Sequence, residues 1–315
     1  RARAVRPGYA PDAEEAEALA RLVHRLEGLP LALELAAARL RAASAQEVLQ
    51  RLGEPAGPTP RPQQLRGDEG LGALDRRGPS RGDAERQGSM RAVVLWSHAL
   101  LSDSERRTLL ALSVFHGGAT AQRLADLHAA ADGAVRETSP EALLDDLDAL
   151  VAHSVVRTID SRPGGTRYQP FEPVREVVLS LADPATLRQL AAGHRHAMRR
   201  LAASLGLSPD VHLVRAEVPN LVAALAGAVG DGAPDDVLAL IADAATALHE
   251  VVLPPQALQA VAQAVHERAG TPLATTAQAI LAEQLFESGR GEEALATAEA
   301  ALRAADEPEI GRAHV

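Results

Sequence analysis

Residues 26–40 read LEGLPLALELAAARL. Gly28 and Pro30 stand two residues apart, between stretches rich in Ala and Leu. Ala and Leu favour helix most strongly, whereas Gly and Pro favour it least. Gly28 suits the left-handed conformation that ends one helix. Pro30 suits the first turn of the next, where its missing N–H costs nothing. The stretch therefore predicts a tight corner between two helices. Upstream, residues 12–26 predict an amphipathic helix capped by Asp12, with Leu19, Leu22, Val23 and Leu26 at i, i+3, i+4, i+7. Downstream, Leu31 to Arg41 are apolar nearly all round, the pattern of a helix buried on most sides. Ser44 is placed to cap a short helix running to Leu52.

The composition extends the helical reading. The chain has 315 residues, 46% hydrophobic and only 2% aromatic, so its cores must be built from Leu, Ala and Val. That length accommodates two or three domains, and the fold class expected is mainly α. There is no Cys, which excludes disulfides and thiolate metal sites. No signal peptide is visible, and no apolar run reaches the roughly 20 residues that span a bilayer. The chain is read as cytoplasmic, without a membrane partner. Every one of the 32 basic residues is Arg. A Walker A phosphate loop needs a Lys to reach the β- and γ-phosphates, so this chain holds none. It starts at Arg1 and ends in EIGRAHV, both of which read as cuts through a longer protein.

Residues 53–88 are rich in Pro, Gly and charge and predict a flexible linker. Order is expected again from Ser89. A helix over Met90–Leu100 leads to Ser102-x-x-Glu105, a capping box ahead of an apolar helix. Thr120 starts another helix, with Leu124 and Leu127 inward. Ser139 and Pro140 open a third, with Leu143, Leu144, Leu147, Leu150 and Val151 as its buried face. SVVRTID and TRYQPF then alternate around a turn at residues 161–165, a β-hairpin signal. Helices followed by one hairpin describe a winged helix.

From Pro184 onward the chain reads as helical. Its last part fits a unit of about 34 residues, the period of a tetratricopeptide repeat. Small or apolar residues stand at Leu281, Ala282, Leu285, Ala294, Ala298 and Ala301, with Gln278 and Leu285 at the usual Trp and Tyr positions. Residues 236–270 form a weaker preceding helix pair.

Taken in order, the GLPLALELAAARL corner, the linker, RQGSMRAVVLWSHALLSDSERRTLLALSVFHGGAT, LDDLDALVAHSVV, RYQPFEPVREVV and the helical repeats resemble the STAND class of signalling ATPases. The resemblance is to the NB-ARC-type group, and most of all to bacterial regulators of the LuxR and SARP kinds. It implies a helical lid over residues 1–52, a winged helix over 89–183 and a repeat scaffold over 184–315. It also implies a phosphate loop lying upstream of Arg1. In that family the Pro of the corner lies against the adenine of bound nucleotide, which carries over to Gly28 and Pro30. The family's Met-His-Asp sensor corresponds to Pro170-Phe171-Glu172. Phe171 replaces the His, and Glu172 keeps an acidic position; Phe171 is read first as core of the winged helix.

Two functions follow. The first is a regulatory segment of an ATP- or ADP-dependent switch, with a protein or small ligand sensed at the repeats and self-association on activation. The second is a nucleotide-independent repeat adaptor. No cofactor is expected for this chain alone, and no catalytic residue or metal site is assigned. His194 and His196, two apart on a helix, point to different faces. Direct DNA binding is disfavoured. The expected recognition helix, Pro140–His153, carries Glu141, Asp145, Asp146 and Asp148 and no Arg, whereas phosphate contacts need cations. Arg157, Arg162 and Arg167 are the wing's basic residues.

Overall fold

The computed structural model describes residues 2–26, 28–53, 81–131, 139–161, 165–205, 210–249 and 251–306. The fold is mainly α. Among the described residues the order is α1 (Ala2–Val5), α2 (Ala13–Arg25), α3 (Pro30–Arg39), α4 (Ala45–Gly53), α5 (Arg81–Ala99), α6 (Asp103–Leu112), α7 (Ala121–Ala131) and α8 (Pro140–Ala152). Then come β1 (Val156–Ser161), β2 (Gly165–Pro170), α9 (Glu172–Leu181), α10 (Pro184–Ser204), α11 (Val211–Gly230), α12 (Pro234–Asp243), α13 (Ala245–Leu248), α14 (Pro255–Glu267), α15 (Pro272–Glu287) and α16 (Gly291–Asp306). Strands β1 and β2 form a two-stranded sheet.

Caps account for many of these boundaries. Asp12 accepts from the Glu15 N–H at 2.8 Å. Ser44 and Glu47 exchange bonds at the start of α4, and Ser102 and Glu105 do so at the start of α6. Thr120 and Ser139 accept from the first turns of α7 and α8. Each such cap satisfies backbone donors that the helix itself cannot.

Most of the linker expected over 53–88 lies outside the described residues. Its last part does not: α5 begins at Arg81. Ala84, Glu85, Arg86 and Gln87 are all good helix formers, and they extend the helix expected from Met90 backwards. Two helix faces also differ from expectation. Val23 is 46% exposed while Ala18 is buried, so α2 turns a slightly rotated face inward. Leu144 is 41% exposed, and α8 buries Leu143, Leu147 and Leu150.

The chain divides into two compact units, both discontinuous in sequence. One comprises residues 1–113, 144–157 and 170–182. In it α2 packs on α4, α3 and α4 pack on α5, and α9 packs on α5 and α6. The other comprises residues 114–143, 158–169 and 183–315. Here α7 packs closely on α10, and α10, α11, α12, α14 and α15 follow in contact to α16. Residues 89–183 thus contribute to both units.

Helix α11 corrects one expectation. Val211–Gly230 is long and apolar enough, by length and composition, to cross a bilayer. It contacts α10, α12 and α14 and carries the buried polar residues Glu217 and Asn220, with about a third of its apolar stretch buried. At the far end of that unit Leu281, Ala282, Leu285, Ala294 and Ala301 are buried between α15 and α16, while Phe286, Leu295 and Leu302 are exposed.

Candidate functional site

The corner between α2 and α3 is built by backbone geometry. The Leu26 N–H bonds the Leu22 carbonyl, and the Gly28 N–H reaches back to Val23 at 3.2 Å. Gly28 has φ +68°, and a Cβ there would meet nothing within 4 Å. The left-handed conformation, not lack of space, is what calls for glycine. Leu29 caps α3 without a side-chain hydrogen bond, and Pro30 follows, exposed. The result is a solvent-facing pyrrolidine ring beside an uncapped helix start. The two corner residues carry no charge.

Glu172 stands elsewhere in the same unit, in the first turn of α9, exposed. Its carboxylate accepts from Arg175 Nη1 at 2.9 Å, and Arg175 Nε donates to the Ser113 carbonyl at 2.8 Å. Among the described residues no hydrogen bond or ion pair joins Glu172 to the Gly28–Pro30 corner. Phe171 is half-buried, with the Arg157 guanidinium 5.9 Å from its ring centroid. Gly28 and Pro30 are exposed and uncharged, and Glu172 is an anion, so none of the three is a group that would neutralise a phosphate.

Helix α8, where a recognition helix is expected, is acidic on its exposed side. Glu141, Asp145 and Asp148 are exposed. Asp146 accepts from Thr108 at 2.7 Å and Ser104 at 2.8 Å, which ties α8 to α6. Of the arginines expected in a wing, Arg162 lies outside the described residues and Arg157 is exposed. Arg167 is only 3% exposed and turns inward, so it is no candidate for a phosphate contact. His194 is buried, edge-on to Phe115 with ring centroids 4.6 Å apart, and His196 is exposed.

Two polar clusters escaped the sequence reading. The first surrounds Arg167, whose Nη1 and Nη2 donate to the two carboxylate oxygens of Glu217 at 2.7 and 3.1 Å. Arg167 also donates to the Gly117 and Gly118 carbonyls. Asn220 donates to Gly118 and Glu217 and accepts from the Gly117 N–H. The antiparallel bridge between Ala119 and Tyr168 lies alongside. Together these bonds fasten β2 and the Gly117-Gly118 turn to α11. Alternation in GTRYQP puts Arg167 and Tyr168 on opposite faces, yet both are buried, so strand period alone gave no signal for Arg167.

The second cluster surrounds Arg39, 6% exposed at the end of α3. Its Nη1 lies 2.9 Å from His153 Nδ1, its Nη2 donates weakly to the Ser97 carbonyl at 3.5 Å, and its guanidinium lies 6.0 Å from the Trp96 ring centroid. His153 thereby acts as the acceptor. Burial, and then the Arg39 charge, hold its pKa below the usual imidazole value. The signal here was periodicity: Arg39 follows Leu35 and Ala36 on the buried stripe of α3.

One further feature is a cavity walled by Met198, Leu201, Leu213, Val214, Glu217 and Leu248, from α10, α11 and α13. Its lining is apolar apart from Glu217, whose two oxygens are held by Arg167 and Asn220.

Comparison with known proteins finds relatives among mycobacterial regulators. Over 246 residues, 76% of this chain, it is 34% identical to a Mycobacterium tuberculosis protein named "Putative HTH-type transcriptional regulator" and equally to its Mycobacterium bovis counterpart. Over 125 residues, 38% of this chain and 26% of the relative, it is 37% identical to an M. tuberculosis protein named only as uncharacterized. The chain spans about a quarter of the length of the regulators it matches. No family model and no solved structure matches it.

Proposed function

We propose that this chain is the regulatory segment of a STAND-type signalling ATPase that controls transcription. Residues 1–52 act as a lid, 89–183 as a winged helix and 184–315 as a tetratricopeptide-like scaffold that receives a protein or small-ligand signal. The observation that carries the proposal is the Gly28–Pro30 corner, an exposed apolar ring at a helix start without a side-chain cap; the proposal sets a purine against it. In this reading ATP or ADP is gripped by its phosphates in a part of the parent protein upstream of Arg1, and the nucleotide supplies the free energy that separates closed from open states. Pro30 lies against the base, and Gly28 holds the corner that presents it. The chain itself performs no hydrolysis, because phosphoryl transfer depends on charge neutralisation around the phosphates and the chain has no Lys.

The test is nucleotide retention. The parent protein should purify with ADP or ATP bound, and Pro30→Asp should abolish retention by placing a charge against the base. The isolated 315-residue chain should show no tight ADP binding by calorimetry. A parent protein that binds nucleotide equally well with Pro30→Asp would overturn the proposal.

The second reading, a nucleotide-independent adaptor, draws on Phe171 at the sensor position and on Glu172 being spent on Arg175. It predicts a parent protein that copurifies with no nucleotide and binds its partner regardless of ATP. Direct DNA binding by this segment is disfavoured by the exposed acids of α8. If the parent contacts DNA, it does so through another domain.

A further inference from the structure

Helix α11 carries Val214, Glu217, Val218 and Leu221 at i, i+3, i+4, i+7, one face of a helix. The elements beside that face do not fill the space in front of it. Helix α13 is a single turn, Ala245–Leu248, and brings only Ala247 and Leu248 to the wall. Ala202 of α10 and Ala244, just ahead of α13, are equally short side chains there. The cavity between α10, α11 and α13 is what these small residues leave open. Its volume is about 30 Å³, and with its open mouth the empty space is about 420 Å³.

The lining leads from the core of its unit to solvent without a polar step. Met198, Val214 and Leu248 are buried, and Leu205, Leu213 and Leu221 are half-buried. The one polar side chain in the wall is Glu217, and its carboxylate already accepts from Arg167 and Asn220. A water molecule needs two to four polar partners, and this wall offers it none beyond a carboxylate that is taken. An apolar group is the occupant such a lining favours. The size then selects its shape. A volume of about 30 Å³ is what one water takes up in the liquid, too little for a ring or a helix and enough for the end of a slender chain. Met198, unbranched and flexible, can adapt to it.

We infer that this cavity binds the tail of a small amphiphile with an unbranched alkyl chain, its methyl end inward and its polar end at the mouth. This deepens the reading of residues 184–315 as a scaffold that takes up a small ligand, rests on that part of it, and needs nothing of the nucleotide corner.

The chain has two methionines. Met198 lines the cavity, and Met90 belongs to the other compact unit, so each methyl group reports on a different place. The full 315-residue protein, labelled with carbon-13 at the methionine methyls, is titrated with n-octanol and, separately, with the octanediol that has a hydroxyl at each end. Octanol should move the Met198 signal saturably and leave Met90 in place. The diol should bind about tenfold more weakly or worse, because it must bury a hydroxyl without a partner. Leu213→Asp sets a charge at the mouth. It lies in the first turn of α11, where an acid suits the helix dipole, so the variant should fold and lose octanol affinity about tenfold. Movement of both methionine signals together, a response without saturation, equal binding of the diol, or unchanged affinity in Leu213→Asp each overturns the assignment. The diol comparison uses the unaltered protein and decides the matter even if the variant fails to fold. Nucleotide retention and its Pro30→Asp test read a different site, so the two proposals fail separately.

Discussion

Arg167 and Glu217, 50 residues apart, meet in a bidentate ion pair with both side chains at least nine-tenths buried. Removing one partner of such a pair strands a charge in a low-dielectric interior, at a cost of about 3–5 kcal/mol. Glu217→Gln and Arg167→Met should each lower the urea midpoint accordingly. The double replacement Arg167→Met/Glu217→Leu should cost clearly less than the sum of the two singles, because it strands no charge.

Gly118 occupies the turn that this pair grips. Its φ is +70°, and a Cβ there would lie 2.6 Å from the Tyr168 carbonyl oxygen. Gly118→Ala should therefore cost about 1–3 kcal/mol through backbone strain and overpacking. Gly291→Ala is the control, since its Cβ would meet nothing within 4 Å; it should leave the thermal midpoint almost unchanged.

His153 gives the protein a defined response to acid. Burial and the Arg39 charge keep its folded-state pKa below the ordinary value of 6.5. As pH falls through 6.5 the unfolded chain takes up a proton that the folded chain resists. Stability is therefore complete above that pH and is lost below it, down to the folded-state pKa. His98 acts in the same direction through burial and then Arg106. Urea unfolding at pH 7.5 and pH 5.5 should show lower stability at the acid value, and His153→Asn should reduce the difference.

Gln284 holds the chain between α13 and α14. Its Oε1 accepts from the Leu253 N–H at 2.8 Å, and its Nε2 donates to the Leu248 and Val251 carbonyls at 2.8 and 3.2 Å. Gln284→Leu keeps the volume and strands a buried N–H, at about 1–3 kcal/mol. Faster amide exchange at Leu253 should accompany the loss.

Local signals in the sequence resolved most of the helices. Asp12, Ser44, Ser102, Thr120 and Ser139 all cap where their spacing placed them, because capping depends only on residues three apart. Burial of Leu124, Leu127, Leu147 and Leu150 was equally legible from helical period. What escaped was non-local. Arg167 pairs with Glu217, Gln284 serves a loop 31 residues upstream, and Arg39 lies between Ser97 and His153. No short window contains both halves of such contacts. The Gly28–Pro30 corner was readable as a turn, since one left-handed glycine and one proline specify it. Its role depends on what faces Pro30, which no local pattern encodes.

Glu217 occupies two places at once: it walls the cavity under α11 and it clasps Arg167 of the hairpin. One side chain thus both lines the cavity and anchors the hairpin. A molecule that shifts α11 by wedging against Leu213 or Val214 must drag Glu217 with it. That path runs on through Arg167 to the carbonyls of Gly117 and Gly118.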